Sequence, residues 1–188
     1  NFDEIRFDFY RDGNTLFVAS DGVGQIITDW RAVKPVVTTV NPPVAGSKKR
    51  GSNAGGADFS PDGRRLYWSS GDSGAVYVFD VNSPANIAQI SLNTEVGGRK
   101  YEDSYAVDVK VSADGKHLYC ADVTNFRMVV IDAERRQVVG SVPVGRYPYA
   151  LAVVGDKVYA ANIGLFEYSP IPPPTDPRFD KRGVTFPP

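Results

Sequence analysis

The residues FSPDGRRLYWSS (59–70) return fifty-two positions later as VSADGKHLYCAD (111–122). A repeat at this period means one supersecondary unit copied along the chain, because a unit that small cannot bury its apolar face alone. Alignment on the Asp-Gly pair and the aromatic after it finds two more copies. The set is FDFYRDGNTLFVAS (7–20), ADFSPDGRRLYWSS (57–70), DVKVSADGKHLYCAD (108–122) and LAVVGDKVYAAN (151–162). The anchor aromatics are Phe17, Tyr67, Tyr119 and Tyr159, spaced by 50, 52 and 40 residues.

Each copy reads as strand, tight turn, strand, since β-branched and aromatic residues flank a pair in which glycine accepts the positive φ of a hairpin turn. A third run follows as QIITDW (25–30), AVYVFDV (75–81) and RMVVIDA (127–133), and a fourth as PVVTTV (35–40), IAQISL (87–92) and QVVGSVPV (137–144). The unit is therefore a four-stranded antiparallel meander. Asp29, Asp80 and Asp132 end the third run and are expected to bond turn amides rather than a metal. No segment carries sustained apolar residues at helical spacing with caps. Strands such as VYVFDV are apolar at nearly every position, as a sheet covered on both faces requires. Repeated four-stranded sheets stacked face to face around an axis make a β-propeller. The fold class is all-β, a propeller of four-stranded antiparallel blades.

The stretch 111–162 resembles the YVTN β-propeller repeat family, through its Asp-Gly turn, the strand LYCAD in the place of Tyr-Val-x-Asn, the strand VVIDA, and VGRYP before the next copy. The likeness is strong over copies two to four and weaker in copy one, which lacks Pro or Ala before Asp12 and ends its third run in TDW. The segment 164–188 is similar to an insertion in bacterial proteins that join such a propeller to a C-terminal phosphoesterase domain. These resemblances imply a seven-bladed parent of which this chain is the N-terminal half, in the periplasm or secreted.

The expected organisation is blades at 1–44, 54–92, 105–144 and a partial one at 149–168, then a Pro-rich irregular tail or inter-blade insertion at 169–188. About three and a half blades do not close a ring of roughly four to eight. The expected partners are the remaining blades of the same parent or another chain completing the ring.

Several classes of function lose support at once. There are 21 basic against 22 acidic residues, so no overall field draws nucleic acid or an anionic membrane. The basic cluster SKKRGSN (47–53) is too short to read as a nucleic-acid arm. Were single-stranded nucleic acid bound, Tyr101 or Tyr147 would be the stacking partners. Cys120 and His117 are the only residues of their kinds, which leaves no internal disulfide, no cysteine metal cluster and no multi-histidine zinc site. Cys120, inside an apolar strand, is expected to be an inert buried thiol. No apolar run approaches the ~20 residues of a membrane helix, and the first residues do not read as a signal peptide. No cofactor, metal ligand set or catalytic residue is assigned.

In a propeller the loops joining strands two and three lie on the same face as those joining successive blades. That places Asp21, Asp72, Asp122 and Asn162 on one rim, with Lys49, Arg50, Arg99 and Arg146 projecting from the inter-blade loops. Short polar loops of this kind read first as solvated turns whose residues are chosen for φ and ψ; the sharper reading is a polar, partly cationic rim for a small anionic ligand. The leading reading is a non-catalytic ligand- or protein-binding scaffold within a larger extracytoplasmic bacterial protein. The alternative is the propeller portion of an enzyme, a phosphoesterase fusion or a quinoprotein-like or lactonase-like protein, whose catalytic residues lie mostly elsewhere.

Overall fold

The computed structural model describes residues 6–10, 12–20, 23–40, 55–69, 71–84 and 86–164. The expected tail, the outer ends of the proposed blade boundaries, and Asp21, Lys49 and Arg50 lie outside them. Three four-stranded antiparallel sheets and one two-stranded sheet make up the blades. The first holds β1 (Arg6–Phe9), β2 (Thr15–Ser20), β3 (Val23–Thr28) and β4 (Val36–Val40). The second holds β5 (Ala57–Phe59), β6 (Arg65–Ser69), β7 (Ala75–Asp80) and β8 (Asn86–Ser91). A small hairpin, β9 (Glu95–Val96) with β10 (Arg99–Lys100), stands between blades. The third sheet holds β11 (Ala106–Val111), β12 (His117–Asp122), β13 (Arg127–Asp132) and β14 (Gln137–Pro143). The last holds β15 (Arg146–Val154) and β16 (Lys157–Gly164). Every sheet keeps its strands in chain order, the meander that the repeats predict.

The repeated turn owes its shape to three side-chain roles. In the second blade Ser60 Oγ donates to Asp62 Oδ1 (2.6 Å), which also accepts from the Arg64 amide (3.1 Å), while Gly63 turns at φ 70°. The third blade repeats this with Ser112, Asp114, Lys116 and Gly115 at φ 72°. The serine bonds, followed by those amides, hold both carboxyls below their ordinary value of 3.8. A carboxyl depressed by folding contributes stability above its unfolded value, and that contribution disappears as pH falls through the folded value. The urea midpoint should therefore fall more steeply below pH 4 in the native chain than in Ser60→Ala/Ser112→Ala. Parallel falls in the two proteins would overturn this account.

Asp80 and Asp132 cap the turns after their strands, each accepting from two following amides at 2.8–3.0 Å. Asp29 is not their counterpart. Thr28, paired with Thr15, holds the place that Asp80 and Asp132 hold opposite Arg65 and His117. Asp29 lies one residue beyond, at φ 54°, and is bonded by Asn14 across the hairpin.

Alternation across the pleat builds the core between blades rather than within them. Phe17, Ala19, Ile26 and Val40 of the first blade pack on Leu66, Trp68, Tyr77 and Phe79 of the second. The opposite face of the second blade sends Tyr67, Val76, Val78 and Ile90 against Val109, Leu118, Cys120, Val129 and Ile131 of the third. Both faces of that middle sheet are dry, which is why AVYVFD is apolar without alternation. Within each blade the anchor aromatic points toward the next blade. Phe17 and Tyr67 are accordingly 0% and 2% exposed, whereas Tyr159 is 55% exposed and has no blade over it among the described residues.

Candidate functional site

The loops after the second strands meet the connections between blades at one end of the sheets. Gly71, in the turn after β6, exchanges two backbone hydrogen bonds (2.8 and 3.0 Å) with Ala106 at the start of the next blade. The Val123 amide likewise donates to the Tyr105 carbonyl (3.0 Å). Asp72, Arg99, Arg146 and Asn162 are exposed at this end. The Asn162 amide nitrogen donates to the carbonyl of Ala160 (3.1 Å).

Asp122 is the exception. It is completely buried, and its oxygens are already engaged by the Tyr105 amide (3.1 Å), Asn125 Nδ2 (3.0 Å) and Arg127 Nε (2.8 Å). A carboxylate so enclosed and saturated is not presented to a ligand on the rim, so its expected role is corrected to an internal one. Arg127 completes a clamp. Its Nη2 donates to the Leu92 carbonyl (2.7 Å), and its guanidinium carbon lies 3.6 Å from the Tyr101 ring centre. Asn125 adds a bond to the Glu102 carbonyl (3.1 Å). Together these groups fasten the long segment 93–105 to the third blade. Tyr101, considered as a base-stacking residue, instead lies buried beneath Arg127 and bonds Ser141 (3.1 Å) through its hydroxyl. Its fixed position orders the β9–β10 hairpin, whose Arg99 guanidinium also lies 5.0 Å from the Tyr101 ring.

The sequence reading passed over Arg127, although a signal was present. Register places Val23 and Ala75 at its position in the first two blades, so a charged residue there breaks the repeat. It also passed over the inner wall. Asp58 Oδ2 accepts from the Val111 amide of the next blade (2.8 Å), and Asp108 Oδ2 accepts from the Leu151 amide of the one after (2.7 Å). Lys110 lies beside both, donating to the Ala57 carbonyl (3.3 Å) and pairing with Asp108 (3.7 Å). Burial raises the Asp58 carboxyl above its ordinary value against the opposing Val111 bond and Lys110 charge. These carboxylates stitch successive inner strands together. A Cβ on Gly56 would lie 1.9 Å from Asp108 Oδ1, so only glycine lets the second blade approach this closely.

Cys120 is fully buried, and desolvation, followed by the charges of Asp122 and Asp108, pushes its thiol well above the usual value. A thiolate is the reactive form, so this cysteine is a poor nucleophile. His117 is half-buried at the opposite end, its amide held by Ser112 Oγ (2.9 Å).

Blades stacked in chain order, first strands meeting along an inner wall, and loops gathered on one rim define a partial β-propeller. The chain is similar to a solved β-propeller-containing protein, Kuenenia stuttgartiensis hydrazine synthase, at 21% sequence identity and a TM-score of 0.68. The match covers 86% of this chain and 42% of that one, and at this identity the likeness is one of fold. No protein-family model matches the chain, and neither does any curated protein.

Proposed function

We propose that this chain is a binding scaffold, part of a YVTN-type β-propeller completed to seven blades by further blades of the same parent protein or by another chain. The observation that supports it best is the outer face of the last sheet. Tyr159, Ala152, Ala150 and Ala161 form one exposed surface beside Val154 (63%) and Ile163 (73%). The counterparts of Tyr159 in the first two blades, Phe17 and Tyr67, are covered by the following sheet. The first blade leaves Val37 and Val23 exposed in the same way. Contiguous apolar surface of this kind marks an interface rather than a solvated wall.

The rim residues Asp72, Asn162, Arg99 and Arg146 support a polar, partly cationic surface for a small anionic ligand, with Asp21, Lys49 and Arg50 as further contributors. The YVTN resemblance supports a periplasmic or secreted bacterial protein. Nucleic acid is not the expected partner, because charge is balanced and Tyr101 is occupied. Among the described residues no helix is long and apolar enough to cross a membrane.

Sedimentation of the purified 188-residue chain, with a dye that reports exposed apolar surface, tests the scaffold reading. Self-association or strong dye binding, relieved by Tyr159→Lys/Ile163→Lys, is expected. A monodisperse monomer that ignores the dye would overturn it.

A further inference from the structure

Two bulky aromatic residues on this rim adopt backbone conformations that L side chains seldom take. Phe126, in the loop between β12 and β13, has φ 50°, and Tyr147, the second residue of β15 in the fourth blade, has φ 51°. Outside glycine, asparagine and aspartate such values mark strain that the surroundings must hold in place, and strain of this kind gathers at ligand sites. The two segments are joined by a bond from the Val144 amide to the Phe126 carbonyl (2.9 Å). Their rings then meet edge to face, with centres 5.9 Å apart and planes at 63°. Pro148, next along in β15, is buried and pairs with Asn162 of β16, while Tyr147 itself remains 50% exposed. A strained loop and a strained strand end thus converge on an aromatic pair without enclosing it. Arg146 immediately precedes Tyr147, is exposed, and has no hydrogen bond or ion pair from its side chain among the described residues.

We infer that Phe126 and Tyr147 form a stacking platform for a planar aromatic ring carried by a small anionic ligand, with Arg146 as the cation that meets its charge. This rests on the anionic-rim reading and narrows it to one ligand chemistry and one sector, the junction of the third and fourth blades. An edge-to-face pair holds the exposed ring rigid, so a flat ligand stacks on it without having to order it first. The exposed guanidinium of the preceding residue would add bidentate recognition of a phosphate or carboxylate.

The test separates ring from charge. Adenosine 5′-monophosphate, adenosine and ribose 5-phosphate are titrated by calorimetry at one ionic strength into the native chain, Tyr147→Gly, Phe126→Gly and Arg146→Gln. Glycine accepts the positive φ, so both glycine variants should melt at or above the native temperature while losing the platform. Binding of the nucleotide should weaken at least tenfold in Tyr147→Gly and Arg146→Gln. Adenosine should respond only to the aromatic change, and ribose 5-phosphate only to the arginine change. If ribose 5-phosphate binds through Arg146 but nucleotide affinity ignores Tyr147→Gly, the platform fails and the anionic rim survives. If adenosine binds through Tyr147 and Arg146→Gln changes nothing, the platform stands and the anionic reading fails. A melting temperature that drops in Tyr147→Gly with all three affinities unchanged assigns the pair to packing alone and overturns the inference. Absence of binding by all three probes overturns both.

Discussion

Asp122→Ala should cost about 3–5 kcal/mol of stability, the usual penalty for removing one member of a buried ion pair. Three donors converge on this carboxylate, and the alanine leaves the Arg127 guanidinium buried against Tyr101 with no counter-charge. Arg127 is already under-satisfied, since its Nη1 is buried and has no hydrogen-bond partner among the described residues. The double variant Asp122→Ala/Arg127→Met should therefore recover much of the loss, because an apolar pair carries no desolvation penalty. Urea midpoints of the three proteins check this, and amide exchange should show residues 93–105 losing protection first, as their fastening goes. A double variant as unstable as Asp122→Ala would mean that the loop contacts, and not the buried charge, dominate.

Trp68→Ala should cost a similar ~3–5 kcal/mol, by transfer and cavity terms together. Trp68 is 1% exposed and fills the space between the first and second blades, edge-on to Phe17 (centres 5.4 Å) and tilted against Phe79 (6.4 Å). Its indole nitrogen is buried without a hydrogen-bond partner among the described residues, a cost of ~1–3 kcal/mol that the packing has to overcome. Trp68→Phe removes that orphaned donor and keeps an aromatic ring, so it should lose roughly half as much as the alanine or less. Equal losses in thermal and urea unfolding would show that ring size alone decides this interface.

The blade itself was legible because its determinants are local. Ser60, Asp62 and Gly63 make their turn from bonds within a few residues, and period-two patterning exposes the strands around it. The one misaligned element follows from the same logic. Asp29 matched Asp80 and Asp132 by residue type, yet register is a property of pairing between strands, and Thr28 holds the equivalent place. The candidate site was less legible. Asp122 and Asn162 occupy matching positions in the repeat but differ in fate, the first buried in a clamp with Arg127 and Asn125 and the second exposed.

By itself the sequence determined the repeat, its antiparallel meander and the stacking of dry faces, since turn chemistry and apolar alternation act over a few residues. Tertiary structure alone decided that Asp122 faces inward, that Asp58 and Asp108 bond the next blade, and that Phe126 and Tyr147 meet in strained conformations. Those outcomes depend on which groups from distant segments share one low-dielectric space, and burial, charge pairing and backbone strain acquire values only once the blades are packed.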